Sequence, residues 1–328
     1  MLPKLPIEDG NVPLNDEEET LIDTVSGSAT YCRVLSISVY SSSLSGTLPS
    51  SIGNFGSITY MSFYSNNIGG TIPSTISGLT SLQDLWLSFN SLVGTIPSTI
   101  GGLISLQYLV LISNSLVGTI PSTISGVTSL QYLWLRSNSL VGTIPSTMSG
   151  VTSLRYLSLS SNSLVGSIPS TMSALTSLRY LLLHSNSLVG TIPSTMSVLT
   201  SLQYLWFNSN SLVGTIPSTM SVLISLQSLS LYSNSLSGTI PSTMSVLTSL
   251  QTLYLNINYL TMGGATSVPI STFSSTTLSG YIDLTDNCLV FDTTSPYPYR
   301  HVTATHCRSK GKYEVWCQNF QYSQIIDV

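Results

Sequence analysis

The chain has 328 residues, of which only 7% are charged, and its formal net charge is −4. Charged residues make up about a quarter of an ordinary globular protein, so uncharged polar side chains must cover most of this surface. Between residues 34 and 278 the only Asp, Glu, Lys or Arg residues are Asp84, Arg136, Arg155 and Arg179. Because no basic stripe exists, nucleic acid is excluded as the expected partner.

Residues 1–33 precede any repeated sequence and include an acidic stretch from Glu8 to Asp23. We predict a solvated leader followed by an N-terminal cap that contains Cys32. The leader lacks the basic start and the apolar run of a secretory signal. The chain also contains no run of about 20 apolar residues that would predict a membrane-spanning segment.

A strict repeat occupies the middle of the chain, where Gly-Thr-Ile-Pro or a close variant returns every 24 residues from Gly46 to Gly238. A constant period of this length indicates a solenoid, in which each unit buries its apolar residues against the next unit. The unit reads L-x-x-L-x-L-x-x-N-x-L-x-G-x-I-P, and its ten copies begin at Val34 and at every 24th residue thereafter up to Leu250. We assign residues 34–273 to this array.

Several places in the unit predict local structure. The L-x-x-L-x-L segment alternates apolar and open positions, which predicts a strand, and successive strands would form one parallel sheet spaced about 4.8 Å per repeat. The ninth place holds Asn from Asn66 to Asn258, and we expect its amide to satisfy backbone groups where the chain leaves the strand. A column of Met from Met148 to Met244 indicates core filling rather than a copper or cofactor surface.

The copy Leu130–Pro145 reads Leu-Gln-Tyr-Leu-Trp-Leu-Arg-Ser-Asn-Ser-Leu-Val-Gly-Thr-Ile-Pro. It resembles the leucine-rich repeat in its plant-type 24-residue form, and the resemblance covers residues 34 to about 260. This resemblance implies an α/β repeat solenoid: a right-handed superhelix with a parallel β-sheet on the concave side and mostly irregular or 3-10 structure on the convex side. It also implies a recognition module like the extracellular domains of receptor-like proteins and the repeat-containing inhibitor proteins.

The third, fifth and seventh places of the unit project from the open face of the predicted sheet and vary between repeats. An exposed strip of large aromatic side chains is typical of a binding site, and Tyr, Trp and Arg most often carry binding energy. The alternative is that the Tyr column only stacks across strands and stabilises the sheet. We predict that the ligand-binding residues are Trp86, Tyr108, Tyr132, Trp134, Arg136, Tyr156, Arg179, Tyr180, His184, Tyr204 and Trp206.

The expected ligand is a protein or a peptide. Carbohydrate is an alternative, because Trp and Tyr rings suit sugar rings. A second alternative uses another face: Thr71, Ser74, Thr75 and their equivalents along the array form evenly spaced hydroxyls that suit an ice lattice, and some plant proteins with similar repeats bind ice. The plainer interpretation of these residues is a second short strand and its turn.

Enzymatic activity is not expected. The chain lacks a phosphate-cradling Gly loop and a metal-ligand helix motif, and Asp84 and His184 are the only Asp and the only His in the array. A general acid–base pair therefore has few candidates. We expect no cofactor, and a location outside the cell or on its surface.

Residues 274–328 are predicted to form a C-terminal cap. Four cysteines flank the array, Cys32 before it and Cys288, Cys307 and Cys317 after it, and disulfide-tied caps are one way to cover the ends of a solenoid. We expect a bridge from Cys307 to either Cys288 or Cys317, while the cysteine pair usual in the family's N-terminal cap is represented only by Cys32. Free thiols are one alternative. A metal site is another, and its ligands would be Cys288, His301, His306, Cys307 and Cys317.

Overall fold

The computed structural model describes residues 22–23, 33–261, 282–284 and 287. In these residues the chain winds into successive turns, nine of which contain a strand of an inner sheet, an extended segment and a 3-10 helix. The fold predicted from the resemblance is confirmed, including the 3-10 structure of the convex side. Within the described ranges the structure contains no apolar helix of membrane-spanning length.

The inner sheet is parallel and has eleven strands. Residues 24 apart pair directly, so that Tyr132 lies between Tyr108 and Tyr156 and each place of the unit becomes a column across the sheet. The strands are Ser36–Ser38, Tyr60–Ser62, Asp84–Trp86, Tyr108–Val110, Tyr132–Trp134, Tyr156–Ser158, Tyr180–Leu182, Tyr204–Trp206, Ser228–Ser230, Thr252–Tyr254 and Ile282–Asp283.

A second parallel sheet, here called the outer sheet, has eight strands and is formed by the Ser-Leu-Val-Gly-Thr segments. Its Leu side chains enter the core, while the Ser, Val and Thr side chains face outward. The strands are Val93–Thr95, Ser115–Gly118, Ser139–Gly142, Ser163–Ser167, Ser187–Gly190, Ser211–Gly214, Ser235–Thr239 and Tyr259–Thr261, with Ser45–Thr47 and Asn67–Gly69 paired separately before them.

Each 3-10 helix begins directly after the Pro of the Gly-Thr-Ile-Pro phrase. Pro145, for example, has a φ of −64°, a value that its ring fixes, and Met148 in the following helix is fully buried. The predicted core role of the Met column is therefore confirmed. The helices are Ser50–Asn54, Ser74–Gly78, Ser98–Gly102, Ser122–Gly126, Ser146–Gly150, Ser170–Ala174, Ser194–Val198, Ser218–Val222 and Ser242–Val246.

The ninth-place Asn residues satisfy backbone groups as predicted, and they also connect neighbouring turns. The Oδ1 atom of Asn162 accepts the backbone N–H of Leu140 at 3.0 Å. Its Nδ2 atom donates to the carbonyl of Leu135 at 3.0 Å and to the carbonyls of Leu159 and Ser160 at 3.1 Å each. One amide thus satisfies backbone groups of two turns.

Gly of the repeated phrase is required by backbone geometry. Gly166 has a φ of +77°, and an ideal Cβ on it would lie 2.8 Å from Cγ2 of Thr143 in the preceding turn. An L side chain would therefore meet both backbone strain and a methyl group at this position.

The array continues beyond the last complete repeat. Strand Ile282–Asp283 pairs with Thr252–Tyr254, and Asn287 accepts from the backbone of Leu260 at 3.1 Å and donates to the carbonyl of Leu255 at 2.8 Å. Sequence reasoning missed this eleventh turn, which lies inside the segment assigned to the C-terminal cap. The four cysteines, together with His301 and His306, lie outside the described residues.

Candidate functional site

The open face of the inner sheet carries a second hydrophobic cluster, separate from the core. Trp86, Trp134 and Trp206 belong to it, and their exposed fractions are only 5%, 3% and 6%. The predicted columns are correct, but the prediction that these indoles are exposed is wrong.

Ring size explains this burial. Adjacent strands lie only about 4.8 Å apart, so an indole cannot stand upright in its column and lies over its neighbours instead. The rings of Trp86 and Trp134 meet edge to face at 6.1 Å although a whole strand, with Val110, separates them. The flat Trp platforms that suggested carbohydrate are therefore not open on this face.

The third-place Tyr residues form a stacked row beside the indoles. Ring centroids are 4.4 Å apart for Tyr108 and Tyr132, and 4.3 Å and 4.7 Å apart along the series Tyr156, Tyr180 and Tyr204. Burial raises the pKa of the Tyr180 and Tyr204 hydroxyls. The stacking that formed the alternative interpretation is present, and Tyr156 is buried whereas the other four are half-buried.

Two small residues in neighbouring columns open a depression in the middle of the face. Ser158 and Ser160 occupy the fifth and seventh places of the same turn, are 2% and 1% exposed, and have their Oγ atoms 3.5 Å apart. The cavity above them measures about 50 Å³. Its lining consists of Ile112, Trp134, Arg136, Tyr156, Ser158, Ser160, Leu182 and His184.

The depression brings together four of the predicted site residues: Trp134, Arg136, Tyr156 and His184. Arg179 is exposed at the second place and is not among the residues of the lining. The remaining predicted residues flank the depression along the Tyr and Trp columns. Sequence reasoning missed the two Ser residues as site residues, although their adjacent positions in two otherwise bulky columns were a usable signal.

His184 is neutral at the rim of this depression. Burial, with a smaller contribution from the Arg136 guanidinium, lowers the pKa of its imidazole to about 4. The Nδ1 atom lies 3.2 Å from Oγ of Ser185, and the ring lies 5.9 Å from that of Trp206. Arg136 therefore carries the positive charge of the depression at neutral pH.

The three indole N–H groups differ in their partners. Nε1 of Trp206 donates to Oγ of Ser228 at 2.9 Å. Nε1 of Trp134 is buried and has no hydrogen-bond partner among the described residues, whereas the buried indole of Trp86 interacts with the Asp84 carboxyl. At the third place of the next strand, the residue is Tyr108 for Trp86 and Tyr156 for Trp134. For Trp206 it is the smaller Ser228.

Asp84 lies at the N-terminal end of the same face. Burial raises the pKa of its carboxyl, and the neighbouring Trp86 side chain acts in the opposite direction. Among the described residues no group of three or more His, Cys, Asp or Glu is arranged to hold a metal ion.

The outer sheet presents a different surface, uncharged and the same in most turns. The Val column from Val93 to Val213 is 44–45% exposed. Within the described part of the chain, the hydroxyls of Thr119, Thr143 and Thr191 have no hydrogen-bond partner. The Thr of the following Ser-Thr pair differs: Oγ1 of Thr99 donates to the carbonyl of Ser74 at 2.6 Å. This half of the predicted hydroxyl ladder is used to join turns.

Family comparison agrees with this geometry. A family model described as leucine rich repeat matches residues 83–140 and 129–188, and a second model of the same description matches residues 201–223 and 225–247. The array is a leucine-rich-repeat domain. Curated protein sequences give no significant match to the chain.

Solved structures of leucine-rich-repeat proteins share the fold. One is a plant peptide hormone receptor, RGFR1, in complex with RGF2, with 34% identity and a TM-score of 0.75 over 77% of this chain and 40% of that one. Another is the ectodomain of the Arabidopsis receptor kinase HAESA in complex with an IDA peptide hormone, with 32% identity and a TM-score of 0.73 over 77% of this chain and 42% of that one. The chain thus spans about two fifths of the length of each of these two chains.

A plant ice-binding protein also matches the leucine-rich-repeat array. It has 29% identity and a TM-score of 0.56, and the match covers 63% of this chain and 67% of that one. Structures similar to this array therefore include proteins with two different kinds of partner.

Proposed function

We propose that the protein is a non-enzymatic recognition module that binds a peptide or a segment of a protein on the open face of the inner sheet. The observation that carries the proposal is the depression at Ser158 and Ser160, which Arg136, His184 and the indole of Trp134 line on a face rich in aromatic rings. Such a polar recess in an apolar surface is typical of ligand sites.

The related structures support this choice, since two of them are plant receptor ectodomains in complex with peptide hormones. The half-buried Tyr row would supply apolar contact area with few rotatable bonds, and the depression would fix the register of the ligand. By the same likeness we place the protein outside the cell or on its surface.

Panning a library of random linear peptides against the protein tests this function. We expect enriched peptides to lose at least about tenfold in affinity, or 1.4 kcal/mol, on Tyr180→Ala, which removes a half-buried ring of the stacked row. The outer-sheet variant Thr143→Val is the matched control and should bind normally. Enrichment of peptides whose binding ignores the inner face would contradict the proposal.

Ice is the second candidate partner, and the outer sheet favours it. The Thr hydroxyls without partners lie in a charge-free parallel array of regular spacing, and one related structure is an ice-binding protein. Inhibition of ice recrystallisation should then disappear when Thr119, Thr143 and Thr191 are all replaced with Tyr. It should survive Tyr180→Ala, and activity that persists in the triple variant would exclude the outer sheet.

A further inference from the structure

We propose that the outer sheets of two copies of this protein pack face to face and hold the protein as a homodimer. The inference goes beyond the proposed function, because recognition by the inner face needs no second copy. It rests on the repetition, the side-chain chemistry and the size of the outer face. A dimer held in this way leaves both inner faces open and presents two copies of the proposed site.

The outer face consists of side chains that alternate with the buried Leu residues along each strand. In one turn, for example, Ser115, Val117 and Thr119 are exposed while Leu116 is buried. Parallel strands repeat these side chains about every 4.8 Å, so the face has ridges of one fixed spacing. An identical face carries the same spacing, and its ridges therefore fit the grooves between those of the first copy.

The Val column marks the centre of the pairing. It is the middle of the three exposed columns, so a two-fold axis within the interface places it against the Val column of the other copy. Its six members from Val93 to Val213 are 44–45% exposed, and the same place holds Gly69 before them and Ser237 after them. Full burial of the six centres the interface near Val141 and Val165.

The chemistry of the face is complementary to itself. The eight outer strands contain no Asp, Glu, Lys or Arg, so two copies meet without like-charge repulsion. The hydroxyls of Thr119, Thr143 and Thr191 lack partners in the described part of the chain. Because hydroxyls both donate and accept hydrogen bonds, they pair with the Ser and Thr hydroxyls of an identical face. Val and Thr are also stiff at χ1 and lose little side-chain entropy on burial.

The outer face is large enough for a dimer of moderate stability. Eight strands, spaced about 4.8 Å apart and each about 16 Å long over a Ser-Leu-Val-Gly-Thr segment, cover about 600 Å² per copy. The total of about 1,200 Å² is the lower end of the range for specific, stable interfaces. Because this face has no aromatic or Arg anchor, we expect a micromolar dissociation constant. The chain also has no Asn-x-Ser/Thr sequence that would place an N-linked glycan over the face.

Sedimentation velocity of the full chain tests the dimer. Over protein concentrations from about 1 to about 100 µM, which bracket the expected constant, the mean mass should rise from 35.1 kDa towards twice that value. Val141→Lys combined with Val165→Lys puts like charges at the centre of the interface and should weaken association at least about tenfold.

The matched control is Val198→Lys combined with Val222→Lys. These two residues are 50% and 47% exposed and also lie one turn apart, but they belong to the 3-10 helices. The control should leave the dissociation constant within twofold of that of the unchanged protein. Equal weakening by the outer-sheet pair and the helix pair would overturn the inference.

A mixture of two variants separates a lost interface from a lost fold. Val141→Glu combined with Val165→Glu should be monomeric alone, and mixing it with an equal amount of the double Lys variant should restore the dimer. No association in the mixture would contradict the pairing. A monomer of the unchanged protein at every concentration would do the same, whether or not that monomer inhibits ice recrystallisation. Peptide binding by the inner face is measured separately by panning, so either proposal can fail alone.

Discussion

The two sheets of the array are built from the same 24-residue unit but present opposite kinds of surface. The inner sheet changes from turn to turn, with Trp134, Ser158 and Leu182 following one another in a single column. The outer sheet repeats Ser, Val and Thr almost without change. A varied face has only one place where a given ligand fits, and a constant face can match only a partner that is itself periodic.

The two sheets also differ in which side chains they must bury. Side chains of the inner face must bury large rings on strands of fixed spacing, which leaves the indole N–H of Trp134 without a partner among the described residues. The outer face buries only Leu from each turn and leaves its hydroxyls in solvent. In the part of the chain that the structure describes, the buried polar side-chain atoms without a partner thus lie on the face on which recognition is proposed, and each such atom needs a physical explanation.

We expect the largest effect from replacing a ninth-place Asn, because the turns that these residues connect contribute strands to both sheets. Asn162→Ala deletes an amide that bonds to four backbone groups, so we expect a loss of roughly 3 kcal/mol in the free energy of unfolding. Asn256→Ala is the control, because the Oδ1 atom of Asn256 has no partner among the described residues, and its loss should stay below about 1 kcal/mol. Urea unfolding measures the free energy of unfolding of both variants. Similar losses would contradict the role of the ninth-place Asn residues in connecting the turns.

The inner face should make the stability of the protein depend on pH through His184. The pKa of His184 is lowered to about 4 in the folded protein, below its unfolded value of about 6.5. The unfolded state therefore binds the proton first, and stability falls as pH decreases from about 6.5 towards 4, by about 2 kcal/mol. The ionisable side chains on the strands and turns nearest His184 are Arg136, Arg155, Tyr156, Arg179, Tyr180, Tyr204 and Tyr232.

His184→Gln should flatten this dependence, which urea unfolding at a series of pH values would show. His301 and His306 are present in both proteins and cancel in the comparison. An unchanged slope between pH 6.5 and 4 would mean that the imidazole is not held neutral by the inner face.

The outer face is probed by a pair of Gly substitutions. Gly166→Ala should cost about 2 kcal/mol, because it combines a positive φ with a contact to Cγ2 of Thr143. Gly190 has a similar φ, but Ser167 before it lacks that methyl group and its Cβ lies at 3.3 Å, so Gly190→Ala should cost about 1 kcal/mol. Thermal unfolding measures both, and Thr143→Ser should partly rescue Gly166→Ala. Equal costs without rescue would contradict this packing.

The smallest effect compares two indoles of the inner face. Trp206→Phe removes the hydrogen bond to Ser228 and should cost about 1 kcal/mol more than Trp134→Phe, which removes an N–H without a partner. Chemical denaturation without added ligand gives the comparison. A larger cost at Trp134 would show that its N–H is satisfied in solution.

The repeat allowed much of this fold to be predicted. The columns, the Asn ladder and the turn at Gly followed from the period, because every turn repeats the same local chemistry. Burial of Trp86, Trp134 and Trp206 did not follow, because it depends on how large rings tilt across several strands. The turn at Ile282–Asn287 was missed because residues 262–281 interrupt the period, although Ile282, Leu284 and Asn287 keep the spacing of the fourth, sixth and ninth places.

The site was predicted in part for the same reason. Arg136 and His184 fall in one column that the period defines, so their membership of the open face could be deduced. Their convergence on Ser158 and Ser160 needed the structure, since a cavity depends on which neighbouring side chains fail to fill it.

The affinity of one panned peptide for two double variants tests the central claim most directly. One variant changes the inner face, Arg136→Gln with Tyr180→Ala, and the other changes the outer face, Thr143→Val with Thr191→Val. Titration calorimetry should show at least a tenfold loss for the inner-face variant and a change within twofold for the outer-face variant. Equal losses, or a greater loss from the outer face, would contradict recognition by the inner sheet.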